Sequence, residues 1–402
     1  MSLYLSDEVY IVRGKKQDAI YDLKNGSLYS VGKVLTSLID KLLIPDSEFS
    51  ESELFWIDIF KKQGILSEQE SPAGKDIKEL CRPHKLKTAW IEIITYCNLK
   101  CRHCYEESDS HCTEKMTMED YRYAVDQLAD YGIETVILIG GEPFCHPQLR
   151  EMLSYASERI QKTAVFTNGT MLNEDWCGFL KEKNITVGIS VYSYIPEMHD
   201  RVTTVKGSHR RTKKALKLLE QHQIPHKIAT VHMKDIDLGE KEDETFVLDP
   251  VKDPVRLSGR GDLSLISPKL MNDKLITPWR FSTPIHRDWV IRALNGHQCF
   301  SIKIYIEHDL NVRPCVMERR ASHGNLRGKT IQKILNNDIL YLNKDKIEGC
   351  RDCELRYACH DCRADSMSSN IYAKPYVCTY DVENGIWKDP AKYIKELFRN
   401  QE

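Results

Sequence analysis

The chain has 402 residues, 41% hydrophobic and 29% charged, and its 57 Lys and Arg nearly balance 59 Asp and Glu. That length gives two or three domains with enough apolar content for real cores, and a net charge of −2 excludes a general attraction for polyanions. No apolar run is long enough to span a membrane, and the start, Met1-Ser-Leu-Tyr-Leu-Ser-Asp-Glu, has no basic segment ahead of an apolar one. With neither a signal peptide nor a span, a cytoplasmic protein is expected. There, 14 Cys point to metal or redox chemistry rather than to disulfides.

Residues 19–31 form a strand-like pair around Asn25-Gly26, which predicts a hairpin with a type I′ turn. Leu35, Leu38, Ile39 and Leu42 at helical spacing predict a helix over 33–43. Ser50 and Glu53 form a capping box ahead of a second helix over 51–62, which Gly64 can end. With the short apolar return Ile65-Leu66, these elements describe a small winged helix-turn-helix over residues 1–84. Such a shape can bind DNA, but the segment carries 11 Lys and Arg against 14 Asp and Glu, a net of −3. That is the wrong sign for phosphate, so no nucleic acid is expected as partner. Ser71-Pro-Ala-Gly-Lys reads as the linker that follows.

From 85 to 285 strands and helices alternate. Apolar runs at 91–95, 136–139, 164–167, 186–191 and 228–231 are separated by helical stretches near 118–131, 147–159, 173–183 and 209–222. Regular alternation implies a parallel sheet with its chemistry at the carboxyl ends of the strands. Three thiols, Cys97, Cys101 and Cys104, fall just after the first run. Gly140-Gly141-Glu142-Pro143 closes the second run and Thr167-Asn168-Gly169 the third. Three thiolates on one short loop can hold three irons of a [4Fe–4S] cubane and leave the fourth without a protein ligand. A zinc site more often closes with four ligands. The basic run from His209 to Lys214 reads as the solvated face of an outer helix, with Leu216 and Leu219 turned inward. Residues 235–285 lack clear periodicity, and a sixth strand is expected near Val255–Ser258.

Loop, turn and turn in this order resemble the signature of the radical S-adenosylmethionine (radical SAM) enzymes. The resemblance implies a partial (β/α)6 barrel over 85–285, with Cys97, Cys101 and Cys104 holding the cluster that binds SAM. It also implies SAM contacts at Gly140, Gly141, Glu142, Pro143, Thr167, Asn168, Ser190 and Arg201. His103 stands where that family usually carries an aromatic residue. Ser190 is followed by Val-Tyr in place of the common Asp-Gly.

Seven more thiols lie in residues 286–402: Cys299, Cys315, Cys350, Cys353, Cys359, Cys362 and Cys378. The gap between the two Cys-x2-Cys pairs is tighter than the roughly 15–20 residues of zinc ribbons. The set resembles the SPASM extension of radical SAM enzymes that modify peptides, most nearly those of the grasp-with-spasm type. By that resemblance Cys350, Cys353, Cys359 and Cys378 hold a distal auxiliary cluster, and Cys299, Cys315 and Cys362 a proximal one. The chain departs in its Cys359-x2-Cys362 spacing, in Asp309-Leu310-Asn311-Val312 replacing a glycine, and in lacking an evident fourth proximal ligand. Cys112, Cys145 and Cys177 read as core or surface thiols.

Together these resemblances imply a radical SAM oxidoreductase that takes hydrogen from a ribosomal precursor peptide and installs a thioether or carbon–carbon crosslink. Residues 1–84 then resemble a leader-peptide recognition module, and flavodoxin or ferredoxin is expected as electron donor. A second reading is formylglycine formation as in sulfatase maturases. It implies an Asp after a proximal cysteine, where Val316 follows Cys315. A third, from another class, is a zinc-stabilised peptide-binding protein.

Overall fold

The computed structural model describes residues 3–42, 44, 46–69, 76–82, 86–241, 247–248 and 254–399, so the expected linker at 71–75 lies outside the described residues. Strands β1 (Tyr4–Leu5), β2 (Val9–Arg13), β3 (Gln17–Asp22) and β4 (Ser27–Gly32) come first, and β2-β3-β4 form an antiparallel meander. The hairpin is where the sequence puts it, but its turn is longer than a type I′ turn. Asp22 pairs with Ser27 across a four-residue loop in which only Gly26 is left-handed, at φ 71°. The cause is Asp22, whose carboxylate accepts from the backbone and side-chain amides of Asn25 at 2.9 and 2.7 Å.

Helices α1 (Lys33–Leu42) and α2 (Glu51–Lys62) follow, α2 with both halves of the Ser50/Glu53 capping box. Strand β5 (Leu66–Ser67) returns antiparallel to β1. Alternation along the meander gives it two apolar faces. Val9 and Ile20 pack with Leu38, Ile39, Ile57 and Phe60 of the two helices. Tyr10, Val12, Ala19 and Tyr21 pack with Val290, Leu294, Leu355 and Tyr357 from the far end of the chain.

The main sheet carries β6 (Thr88–Ile94), β7 (Thr135–Gly140), β8 (Lys162–Thr167), β9 (Thr186–Ser190) and β10 (His226–Ala229), all parallel. Between them run α3 (Met118–Tyr131), α4 (Leu149–Arg159), α5 (Glu174–Glu182), α6 (Pro196–Thr203) and α7 (Ser208–Gln221). Local signals set their ends: the Thr117 hydroxyl caps α3, Gly132 at φ 88° stops it, and Asn173 caps α5. Ala89, Ile91 and Ile93 of β6 join the core beneath the helices. On the other face Trp90 lies 5.1 Å from Phe166, ring to ring.

The expected strand at 255–258 does not form; only Pro254 bridges to His232. That segment turns instead toward the cysteine loop, through Gly259 and Gly261. The sixth parallel strand is β11 (Lys303–Ile306), on the outer side of β6, extended antiparallel by β12 (Asn311–Arg313) and β13 (Gly324–Asn325). The sheet order is β10-β9-β8-β7-β6-β11-β12-β13, so it crosses residue 285. The rest of the described chain carries helices α8 (Pro268–Lys274), α9 (Arg287–Asn295), α10 (Ile331–Leu335) and α11 (Pro390–Arg399) and an antiparallel pair, β14 (Tyr380–Asp381) with β15 (Ile386–Trp387). Among the described residues no helix is long and apolar enough to cross a membrane.

Candidate functional site

The loop carrying Cys97, Cys101 and Cys104 leaves the carboxyl end of β6. The Gly-Gly-Glu-Pro turn ends β7 beside it. Gly141 N–H donates to the Ile94 carbonyl (2.7 Å) and Glu142 N–H to the Tyr96 carbonyl (2.8 Å). Both glycines are required by this approach: a Cβ at Gly140 would sit 2.1 Å from the Ile94 oxygen, and one at Gly141 2.2 Å from that of Tyr96.

Glu142 is fully buried and joins this turn to the next. Its carboxylate accepts from Thr167 Oγ1 (2.6 Å), Asn168 N (2.8 Å) and Phe144 N (3.1 Å). Burial pushes its carboxyl up to about 7, against the pull of those hydrogen bonds. Asn168 in turn donates from Nδ2 to Asn98 Oδ1 (2.8 Å) and points it toward Cys97 Sγ at 4.0 Å. The three expected motifs therefore converge on one another.

Ser190 ends β9, and the buried Tyr192 phenol, raised chiefly by burial, feels Cys101 and Ser190. Arg201 is exposed on α6, its guanidinium toward the Asp235 carbonyl (3.4 Å).

Two residues in the quiet stretch complete the loop. Arg260 donates from Nε to the Cys101 carbonyl (2.9 Å), from Nη2 to that of Ser108 (2.8 Å) and from its backbone to that of Cys104 (3.0 Å). Gly259, at φ 57°, lies where a Cβ would meet the Cys104 oxygen at 2.5 Å. The local cue was Gly259-Arg260-Gly261, which periodicity does not register. Beside it opens a cavity of ≈ 350 Å³ lined by Leu257, Ser258, Gly259, Asp262, Ser366 and Met367.

Burial raises all three thiols, Cys101 to about 12, and their charges oppose one another, Cys97 with Cys101 and Cys104, and Cys101 with Cys104. The C-terminal thiols also crowd one another, and Cys350 shares an apolar cluster with Cys299 and Cys315. Burial raises Cys350, Cys353 and Cys359; Cys350 and Cys359 then feel each other or Cys378, and Cys353 feels Cys359 and Cys350. Burial likewise raises Cys362, to about 12, and Cys315; Cys362 feels Cys315, which feels Cys299. The Tyr105 phenol, raised chiefly by burial, feels both Cys104 and Cys315 and so links the first set to the last. Cys177 is buried in the main core, Cys145 packs at its edge, and Cys112 lies near Asp109. Among the described residues, no three His, Cys, Asp or Glu side chains converge on a single ion.

A buried thiol set that repels itself when ionised suits a cationic iron core. Within the same loop Arg102 Nη1 and His103 Nδ1 are buried without hydrogen-bond partners among the described residues, so polar capacity remains there for a bound group. Burial, with Arg260 and Arg102 nearby, pushes the His103 imidazole down to about 4 and keeps it neutral.

Parallel strands carrying a three-thiol loop at their carboxyl edge define a class of α/β proteins built to hold an iron–sulfur cluster over a sheet. The model of the radical SAM superfamily matches residues 91–246. The chain is 30% identical over 333 residues to the antilisterial bacteriocin subtilosin biosynthesis protein AlbA of Bacillus subtilis (strain 168), covering 73% of this chain and 70% of that one. It is 27% identical to a cysteine-type anaerobic sulfatase-maturating enzyme of Clostridium novyi (strain NT), covering 66% and 85%. Streptococcus suis SuiB bound to precursor peptide SuiA shares the fold at TM-score 0.51 and 15% identity, over 94% of this chain and 99% of that chain. The chain belongs to the radical SAM superfamily, whose members bind S-adenosylmethionine and a [4Fe–4S] cluster.

Proposed function

We propose that this chain is a peptide maturase that acts on a ribosomal precursor peptide and installs a thioether or carbon–carbon crosslink. What supports the reading is the buried three-thiol loop tied to the Gly-Gly-Glu-Pro turn, in a chain 30% identical over 333 residues to a bacteriocin biosynthesis protein. A bound cluster and SAM supply a 5′-deoxyadenosyl radical able to take hydrogen from an unactivated carbon.

The chain's own residues bind and orient. Cys97, Cys101 and Cys104 hold three irons, leaving the fourth for SAM. Gly140 to Pro143, Thr167, Asn168, Ser190 and Arg201 contact SAM, with Glu142 fixing the turns relative to each other. Cys350, Cys353, Cys359 and Cys378 hold the distal auxiliary cluster; Cys299, Cys315 and Cys362 hold the proximal one.

Residues 1–84 receive the leader, 85–285 form the radical SAM core, whose sheet continues past residue 285 through β11 to β13, and 286–402 otherwise form the auxiliary-cluster domain. The leader adds as a strand beside the meander. Among the described residues β4 pairs on one edge only, and Val34, in the first turn of the helix α1 that follows it, is 82% exposed. The packing of Tyr10 and Tyr21 on Val290 and Leu355 makes deletion of 1–84 a poor test, because it would uncover a core. Val34→Asp is the better variant: precursor affinity should fall about tenfold, with turnover of a leaderless core peptide unchanged. A flavodoxin or ferredoxin in the cytoplasm supplies electrons.

The decisive experiment is co-expression with the precursor peptide and mass spectrometry. Loss of two hydrogens per site with no aldehyde supports the crosslink. An aldehyde trapped by a hydrazine reagent supports formylglycine formation, the reading favoured by the sulfatase-maturase similarity and opposed by Val316 after Cys315. Zinc without iron and sulfide overturns both.

A further inference from the structure

We propose that the first half of α7 is the docking face for an acidic one-electron carrier protein, received by Arg210, Arg211 and Lys214 beside the Cys97–Cys104 loop. The proposal rests on the reading of that loop as the seat of a cluster that must be reduced.

The helix divides cleanly. His209, Thr212, Ala215, Leu216 and Leu219 are buried, while Arg210, Arg211, Lys214 and Lys217 are exposed, as is Lys206 ahead of them. Positions 210, 214 and 217 fall one turn apart on one ridge. Among the described residues, no carboxylate pairs with any of these five cations.

Folding does not ask for this charge. Cations at a helix amino terminus oppose the helix dipole, and α7 has no acidic residue in its first turn to offset them. The one carboxylate at the helix start, Asp200, accepts from Gly207 N, from Ser208 Oγ (2.7 Å) and from His209 N (2.9 Å). It caps the helix and leaves the outer ridge positive. Against a whole-chain charge of −2, the ridge is a local field of the kind that steers an acidic partner.

The helix that bears the ridge reaches the thiol loop through its inner face and through its joint with α6. The backbone between Cys97 and Cys104 leans on the joint between α6 and α7: Lys100 N donates to Thr203 O (3.1 Å), Arg102 N to Val202 O (3.0 Å) and Thr204 Oγ1 to Lys100 O (2.9 Å). From α7 itself, Thr212 Oγ1 donates to the Asn168 carbonyl (2.8 Å), and Asn168 Nδ2 faces Cys97 Sγ. Electron transfer weakens steeply with distance, so a carrier must seat close to this loop. In the step, the reduced carrier loses one electron and the cluster gains it; no bond forms or breaks. A nucleic acid would also meet a positive ridge, but nothing about it would require the thiol loop as neighbour.

The test uses the holoenzyme with Arg210→Glu, Arg211→Glu and Lys214→Glu combined, and a control with Lys392→Glu and Lys395→Glu on α11. Two readouts are taken: 5′-deoxyadenosine formation driven by reduced flavodoxin or by dithionite, and the affinity of oxidised flavodoxin at low and high salt. The triple variant should lose at least tenfold in carrier-driven rate and in carrier affinity at low salt, with a flattened salt dependence and an unchanged dithionite rate. A carrier-driven rate and affinity within twofold of the unmodified chain would overturn the proposal. So would an equal loss with dithionite through a raised KM for the peptide, which would assign the ridge to the substrate. If the unmodified chain makes no 5′-deoxyadenosine with dithionite, the proposed function fails instead, and the carrier-affinity arm alone decides the docking face.

Discussion

Cys97, Cys101 and Cys104 lie within one loop at the edge of a parallel sheet, whereas the C-terminal thiols are gathered from residues 299–378, mostly irregular chain. Around the first loop the supports run mostly to backbone groups, from strand-end amides, Asn168 and the Arg260 guanidinium, and an ion pair on the loop, Lys100 with Asp109 at 3.0 Å, is half exposed. Around the second they are buried charges. Asp361 takes Lys344 and also Arg363 at 2.6 Å, with side chains 1%, 7% and 3% exposed. Asp365 takes Lys274 at 2.9 Å and the Tyr376 hydroxyl at 3.1 Å. Where strands supply a rigid frame, a site needs little else. Where loops must be held in register, directional ionic contacts do that work, and they become costly when one partner is lost.

The sharpest way to break this contrast is at the thiols. Cys101→Ala should abolish 5′-deoxyadenosine formation and remove about four irons from an expected twelve or so. Cys362→Ala should lose iron too, while SAM cleavage persists. Equal loss of cleavage in both variants, measured with iron content, would mean the two regions do not act separately.

Next in size is Asp361→Asn. Burial alone would raise this carboxyl, but Lys344 and Arg363 hold it far below the carboxylate range. Its removal leaves two buried cations short of a partner and should cost about 3–5 kcal/mol in urea unfolding. A folded pKa below the unfolded one means its contribution is present above about pH 4 and is lost as the pH falls further. The Asn variant should therefore lose less stability than the unmodified chain on acidification.

Glu142 has the opposite sign. Its folded carboxyl, near 7, lies above the ordinary value of 4.5, so the folded chain binds the proton more tightly. Stability from this group therefore falls as pH rises from about 4.5 to 7 and is flat above. Glu142→Gln should flatten that slope in urea midpoints taken at pH 5 and pH 8. The smallest effect is expected from Arg260→Lys, which keeps the charge but loses the fork to two carbonyls. About 1 kcal/mol, read as several-fold weaker SAM binding, is the expected cost.

The sequence by itself determined what depends on short separations. Thiol spacing, the capping box at Ser50, and the helix at 118–131 are encoded within a turn or two, and all appear at those residues. Strand-end motifs were legible too, because alternation of strand and helix places every such turn on one edge. What needed distant partners was not legible. The turn at Asn25 follows from the reach of Asp22, and residues 255–258 are drawn from the sheet by contacts such as Arg260 to the cysteine loop. The closing strand at 303–306 depends on pairing with β6, some two hundred residues earlier in the chain. Likewise the basic run of α7 reads as an ordinary solvated face, and only the fold brings the inner face of that helix, through Thr212 and Asn168, to the thiol loop. Charge and propensity are properties of a segment, whereas proximity belongs only to the folded chain.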